Sequence, residues 1–238
     1  MTEQDDAVGP VRDVRRPLAV GSTYQSLTTQ VFQELRERII EGLYPPGTRL
    51  PERELSEDLQ VSRIPIREAL PRLEAEGYIV TMPRRGAIVR QLTLRDIEEL
   101  FDLRITLEVF AARQAALRAQ TTPPGPQLRE LVARALEFTE QHSEHEISSV
   151  NSAIHEEIVR LAGNDLLGSV MQTIMGRSRW LFRLTTQRDQ SEQYREHTEL
   201  ADAIYAGDVE LSGAIAYSHI QKGRAPSIAL LHDRLPAE

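Results

Sequence analysis

Hydrophobic positions in the first ninety residues follow a helical period and then a strand period. From Leu27 to Leu43 an apolar residue recurs at every fourth position, which is the spacing of one face of an amphipathic helix. Gly42 and Pro45 end this helix, and Gly77 ends a later one that has Ser62 at its N-cap. The pattern predicts helices over residues 27–43, 52–59 and 63–76, and short strands over 78–80 and 87–89.

The rest of the chain has helical periodicity throughout. Thr93 and Asp96 have the spacing of a capping box, which opens a long helix. Gly163-Asn164 and Gly207-Asp208 each combine a helix stop with an N-cap residue. The predicted helices cover residues 94–118, 127–141, 144–162, 165–186, 190–206 and 208–222. The predicted fold class is therefore mainly α, with a small N-terminal module that precedes an all-α antiparallel helical bundle.

These elements divide the chain into four parts. Residues 1–21 mix charges with glycine and proline and lack periodicity, so a disordered leader is predicted there. The small module occupies residues 22–92, the bundle occupies 93–225, and a tail follows over 226–238.

Composition excludes several classes of protein. Aromatic residues make up 5% of the 238 residues, which favours an aliphatic helical core over a sandwich. The absence of cysteine excludes disulfides, thiolate metal sites and cysteine nucleophiles. No apolar run is long enough for a membrane span or an export signal. We therefore expect a cytoplasmic protein with no membrane partner.

Charge is distributed unevenly between the two modules. The formal net charge is −8, but it is zero over residues 22–92 and −7 over residues 93–238. Lys222 is the one lysine, so nearly every positive charge is a planar guanidinium. This asymmetry indicates two modules with different partners.

The small module has the element order of a winged helix-turn-helix. Arg63 and Arg67 lie one helical turn apart near the start of the second helix of the motif, where guanidinium groups can reach base edges or phosphates. Arg53 precedes them, and Arg84-Arg85-Gly86 occupies the tip of the wing. These arginines predict binding to a double-stranded DNA operator. The alternative is that they are ordinary solvated surface charges.

Residues 45–89, PPGTRLPERELSEDLQVSRIPIREALPRLEAEGYIVTMPRRGAIV, closely resemble the DNA-binding domain of GntR-family bacterial regulators. The resemblance implies that three arginines contact bases and phosphates, that a serine contacts the backbone, and that the wing tip approaches the duplex. The DNA-binding residues expected are Arg53, Ser62, Arg63, Arg67, Arg85 and Gly86. Ile64 replaces a frequent threonine, and Pro71 lies inside the recognition helix, where it removes a hydrogen bond to Arg67 and favours a kink.

Four segments of the bundle carry a second resemblance: DIEELFDLRITLEVFAARQAA (96–116), NSAIHEEIVRLAGNDLL (151–167), EHTELADAIYAGD (196–208) and AYSHI (216–220). Together they resemble the FCD domain of FadR-type regulators. It implies an antiparallel bundle of six or seven helices around a central effector cavity.

Histidines provide the candidate chemistry of the bundle. Asn151 and His155 lie on one face of a helix, while His197 and His219 lie on two later helices. Three imidazoles and one oxygen donor form a site for a divalent metal ion with open positions, such as zinc, nickel or manganese. The alternative is that each is a hydrogen-bonded core histidine. The metal-binding branch of the resembling family usually has aspartate in place of Asn151, so this site carries one more positive charge.

A cationic site of this kind favours a small carboxylate effector. We expect Arg104 to bind the carboxylate through a bidentate pair, with a salt bridge to Glu108 as the alternative role. Arg177 and Arg179 are further candidates. The function expected is a dimeric transcriptional regulator, most simply a repressor, that binds an inverted repeat and is released by a small organic or sugar acid. The alternatives are a metal-free pocket for an acyl group and a metal-dependent hydrolase.

Overall fold

The computed structural model describes residues 26–141, 143–185 and 190–238. The predicted leader, including Arg12, Arg15 and Arg16, and one histidine, His142, lie outside the described residues. In the described residues nine helices and one two-stranded sheet follow each other as α1 (Leu27–Ile40), α2 (Glu52–Asp58), α3 (Arg63–Ala75), β1 (Ile79–Met82), β2 (Gly86–Val89), α4 (Leu94–Ala119), α5 (Gln127–Glu140), α6 (Glu144–Ala162), α7 (Asp165–Leu184), α8 (Gln190–Tyr205) and α9 (Val209–Leu231).

The N-terminal module is a winged helix-turn-helix, as predicted. Its core is formed by fully buried residues of α1 and α3, including Leu35, Ile66 and Leu73. β1 and β2 pair antiparallel with Ile79 opposite Val89. Leu43, which the periodicity assigned to the first helix, is 70% exposed and lies beyond the end of α1. The helix ends early because Gly42 adopts a positive φ of +77°.

The second module is a bundle built around α4. Thr93 and Asp96 form the predicted capping box, with both reciprocal hydrogen bonds present. Asn164 and Asp208 cap the next helices through their side chains, as their positions after glycine indicated. α4 packs against α6 and α9, and it therefore lies at the centre of the bundle. Among the described helices, none combines the length and apolarity that a membrane crossing requires.

The end of the chain differs from the prediction. α9 continues through Pro226 to Leu231, so residues 226–231 form helical turns and the predicted tail begins too early. Ser227 and Leu231 are fully buried, and this packing offsets the hydrogen bond that proline removes. The backbone N–H of Leu94 donates to the carbonyl of Pro236 at 2.8 Å, which holds the last residues against the start of α4.

Candidate DNA interface and metal centre

The surface of the winged module presents all the predicted DNA-binding residues to solvent. Those residues are Arg53, Ser62, Arg63, Arg67, Arg85 and Gly86, each of them exposed. Ser62 precedes α3 as its N-cap without a side-chain capping bond, so its hydroxyl oxygen is not occupied by a backbone N–H of that helix. Ile64, in the first turn of α3, is 67% exposed, which leaves an apolar group beside the arginines.

Two of these arginines are already held in place by carboxylates. Arg67 donates from Nη2 to Glu52 Oε2 at 2.9 Å, which links α3 to α2. Arg53 pairs with Glu57 at 2.9 Å on α2 itself. The hydrogen bonds with Arg67 hold the pKa of Glu52 below its usual range. Exposed pairs of this type are weak, so a DNA phosphate can replace the carboxylate.

The wing is a tight hairpin that carries its arginines at the tip. Arg84 adopts a positive φ of +65° and Gly86 one of +74°. The N–H of Arg85 donates to the carbonyl of Met82 at 3.0 Å, which closes the turn. The recognition helix runs from Arg63 to Ala75 without interruption at Pro71.

Three buried histidines meet inside the bundle, on α6, α8 and α9. His155, His197 and His219 are each at most 6% exposed, and one potential ligand atom from each lies within 4.8 Å of the others. Two nitrogens bound to one zinc ion lie at most about 4.2 Å apart, twice the usual Zn–N distance. The cluster is therefore close to the geometry of a metal centre.

Two carboxylates support these rings from behind. His155 Nδ1 lies 2.7 Å from Glu108 Oε2, and His219 Nδ1 lies 2.7 Å from Glu196 Oε2. The other nitrogen of His155, Nε2, has no hydrogen-bond partner among the described residues. A carboxylate that orients an imidazole through one nitrogen while the other faces a shared centre is the usual arrangement behind metal-binding histidines.

Asn151 lies one turn before His155 on α6. It is 8% exposed, and its Oδ1 atom has no hydrogen-bond partner among the described residues. A buried acceptor of this kind is costly unless something binds it. Asn151 lines a small cavity together with His197, Gln193 and Thr139.

Charges around the cluster are balanced in the protein itself. Burial would raise the pKa of Glu108, but Arg104 and His155 outweigh it and hold this pKa well below its usual range. Burial likewise opposes ionisation of Glu196, and His219 and Lys222 outweigh it. Burial lowers the pKa of His219 to about 4, so its ring is neutral at pH 7. With two arginine or lysine charges opposite two carboxylates, a bound cation would add uncompensated positive charge.

Arg104 forms the salt bridge to Glu108 that the sequence offered as its alternative role. It is 2% exposed, and its Nε donates to Glu108 Oε1 at 2.6 Å. The same carboxylate therefore holds both Arg104 and His155. The ring of Phe182 lies 4.8 Å from the guanidinium carbon.

Two further effector candidates, whose facing the sequence left open, lie elsewhere. Arg177 donates from Nε to the carbonyl of Glu76 at 2.9 Å, and Arg179 pairs with Glu37. Both side chains therefore face the winged module and not the histidine cluster. Helical periodicity could not show which way these side chains point, because one face of α7 packs on the bundle and another contacts the winged module.

Glu108 and Glu196 are the residues whose role in the site the sequence did not reveal. Glu108 follows Arg104 by one turn, and Glu196 adjoins His197. Their pairing with His155 and His219 depends on the packing of α4 and α8 against α6 and α9, which only the fold shows.

Both modules match models of known protein families. Residues 27–89 match the model described as bacterial regulatory proteins, gntR family, and residues 99–222 match the FCD domain. The chain is 31% identical over 179 residues to the Nta operon transcriptional regulator of Aminobacter aminovorans, covering 75% of this chain and 84% of that protein. It is 28% identical over 177 residues to the Gluconate operon transcriptional repressor of Bacillus subtilis (strain 168), covering 74% and 72%.

The fold is similar to that of solved regulators. The crystal structure of a transcriptional regulator GntR from Rhodococcus sp. RHA1 superimposes with a TM-score of 0.73 at 25% identity, covering 86% of this chain and 99% of that chain. These similar proteins are transcriptional regulators, which favours the regulator interpretation over the hydrolase alternative.

Proposed function

This chain belongs to the GntR family of bacterial regulatory proteins and carries an FCD domain, and on that premise we propose that it is a transcriptional repressor released from its operator by a small carboxylate. The observation that carries the proposal is the cluster of three buried histidines within 4.8 Å in the bundle attached to the DNA-reading module. The similarity to the Gluconate operon repressor supports both repression and an acid effector. The protein would act in the cytoplasm, on chromosomal DNA.

DNA recognition would begin at the exposed arginines of the winged module. Arg63 and Arg67 enter the major groove from the N-terminal half of α3, and Arg85 follows the wing to a neighbouring phosphate. Arg67 would exchange its ion pair with Glu52 for a contact with DNA. In the free protein that pair holds the Arg67 side chain on the exposed surface.

The buried donor set fits a divalent metal ion. His155, His197, His219 and the unpaired Oδ1 of Asn151 would hold it, while Glu108 and Glu196 orient two of the rings. When bound, the ion supplies positive charge and open positions for a carboxylate oxygen. Arg104, oriented by Glu108, would bind the same carboxylate from α4.

An acyl group without metal fits this site less well. The apolar cavity beside His155 and His219 has a volume of about 10 Å³ and is lined by small or branched residues such as Ala111, Ala216 and Ile158. That volume corresponds to about one water molecule. A long acyl chain would have to displace whole helices, whereas a short acid needs smaller side-chain movements.

Dimerisation would use an exposed apolar stripe on α4. Leu103, Phe110 and Leu117 recur every seven residues and are 43–49% exposed. Single exposed apolar residues are common, but a heptad spacing on one helix is the pattern of a helix–helix seam. A second copy related by a two-fold axis would cover the stripe with the same stripe, and this symmetry matches an inverted-repeat operator.

Phe110→Glu is expected to convert the dimer into a monomer, because it places a charge in the centre of that seam. Sedimentation velocity measures the change, and operator affinity should fall by more than about tenfold, since one half-site is then bound alone. Leu136→Glu, at a position of similar exposure on α5, is the control and should remain dimeric. A Phe110→Glu protein that stays dimeric would disprove this interface.

Thermal melting tests the effector proposal. The purified protein is melted with acetate, citrate and gluconate, before and after removal of metal by a chelator. An acid present at about 100 times its Kd stabilises the folded state by about 2.7 kcal/mol, which raises Tm by roughly 5–10 °C for a chain of this size. We expect one class of acid to give this shift and chelation to abolish it. An acid-induced shift that survives chelation would favour the metal-free pocket.

A further inference from the structure

Helix α7 contacts both the histidine cluster and the winged module. Near its C-terminal end, Phe182 packs with its ring centroid 5.8 Å from that of His155. Phe182 is 6% exposed, and its ring also faces the Arg104 guanidinium group. A change in the position of His155 or Arg104 therefore acts directly on α7.

Two ion pairs connect α7 to α1. Arg179 pairs with Glu37, and Arg183 pairs with Glu41 at 2.9 Å. The arginines are four residues apart on α7, and the glutamates, also four residues apart, lie in the last turn of α1 and at its C-cap. The two pairs therefore form successive contacts along two helices, and we call them the α1–α7 clamp.

The turn after α3 contacts the same segment of α7, residues 177–180. Arg177 donates to the carbonyl of Glu76, and Tyr78 stacks on Trp180 with ring centroids 5.6 Å apart. The backbone of each module lies close to a side chain of the other. A Cβ atom at Gly77 would overlap Arg177 Nη2, and one at Gly176 would overlap Tyr78 Oη. Trp180 is 4% exposed, and it is the only tryptophan in the sequence.

Beside these contacts the two modules are separated by a cleft of about 670 Å³. Arg36 and Arg72 line it from the winged module, while Gln172 and Met175 line it from α7. The modules therefore touch along one edge and are open along the other. The clamp pairs are partly exposed, and such pairs are weak and exchangeable, whereas the Tyr78–Trp180 contact is buried.

We propose that α7 transmits the state of the histidine site to the winged module, with Phe182 as the positioning residue at one end and the α1–α7 clamp at the other. Movement of Phe182 shifts α7, opens or closes the clamp, and turns the winged module about the Tyr78–Trp180 contact into or away from the cleft. This inference rests on the proposed function, because the transmitted signal is occupancy of the histidine site. Coupling of this kind is reciprocal, so DNA bound to α3 would change the site in return.

Hydrogen–deuterium exchange of the full chain tests the proposal, with Zn²⁺ alone as the probe. The clamp variant carries Arg179→Gln and Arg183→Gln, and the control carries Arg129→Gln and Arg134→Gln on α5. Without metal, we expect exchange over α1 to rise about tenfold in the clamp variant and to stay unchanged in the control, as local opening without global unfolding predicts. A variant that exchanges the two partners of one pair, Glu41→Arg with Arg183→Glu, should keep α1 as protected as in the wild-type protein, because the pair forms again with its charges reversed.

With Zn²⁺, the wild-type protein should change exchange in both α7 and α1 and should shift Trp180 emission. The clamp variant should bind Zn²⁺ within about twofold of the wild-type affinity. In this variant Zn²⁺ should change the exchange of α7 and leave that of α1 unchanged. A Zn²⁺-dependent change in α1 that persists in the clamp variant, or unaltered α1 exchange in the metal-free clamp variant, would overturn the proposal.

A metal-free arm separates this inference from the proposed function. Phe182→Leu keeps an apolar side chain but removes the ring that faces His155. It should change α1 exchange and Trp180 emission in the wild-type background and leave α1 unaffected in the clamp variant. If Zn²⁺ does not bind the wild-type protein, the proposed metal site fails, and this arm alone decides whether α7 couples the two modules.

Discussion

Replacing His155 with alanine is expected to lower the affinity for Zn²⁺ by more than about 100-fold, since loss of a supporting residue alone typically costs 10–100-fold. The residue is 3% exposed, and its Nε2 atom has no hydrogen-bond partner among the described residues. Glu108→Gln should weaken binding by about 10–100-fold, because the amide no longer orients His155 as an anionic acceptor. Competition with a chromophoric chelator measures both affinities.

His232→Ala is the matched control for this experiment, because that imidazole is 71% exposed and lies at the C-cap of α9, more than three helical turns beyond His219. Asn151→Asp should act in the opposite direction and raise the affinity, since a carboxylate replaces a neutral amide oxygen. Equal affinities for the His155→Ala and His232→Ala proteins would mean that the histidines are core residues.

Replacing Arg67 with alanine is expected to weaken operator binding by about 1–3 kcal/mol, or roughly 5–150-fold, as for other arginines that read base edges. Its side chain is 70% exposed, and it lies on the face of α3 that we propose as the DNA-binding surface. If Arg67 contacts a base, the loss will depend on the operator sequence. If it contacts phosphate, the loss will be uniform and the slope of log affinity against log salt will fall by about one.

Arg95→Ala controls for the loss of an exposed arginine, because Arg95 is 67% exposed and pairs with Glu99 on α4. Fluorescence anisotropy at two salt concentrations distinguishes the variants. The proposed DNA interface is wrong if Arg67→Ala binds the operator as well as Arg95→Ala does.

Local signals in the sequence predicted most of the fold. The capping box at Thr93 and the glycine–N-cap pairs before α7 and α9 are side-chain effects within a few residues, and all three are present. The end of α9 was missed because it depends on tertiary packing. Pro226 argues locally against a helix, and only the burial of Ser227 and Leu231 against the bundle explains its continuation.

The candidate metal centre was predictable only as far as it depends on local spacing along the chain. The spacing of Asn151 and His155 fixes a common helix face, and the meeting of His155 with His197 and His219 agrees with the expectation. The carboxylates behind them come from α4 and α8, so no spacing along the chain indicates them. The facing of the arginines of α7 stayed open, because charge alone does not show whether a residue faces a cavity or a neighbouring module.

The most direct test of the account is release of operator DNA by an acid in the presence and absence of metal. The Zn²⁺-loaded protein is bound to labelled operator and titrated with the acid that gives the largest melting shift, and the titration is repeated after chelation. The account predicts that the acid lowers operator affinity by about 5–150-fold, the usual range of allosteric coupling, and that chelation removes this effect. Release that is equally strong in the chelated protein, or no release by any acid that raises Tm, would contradict it.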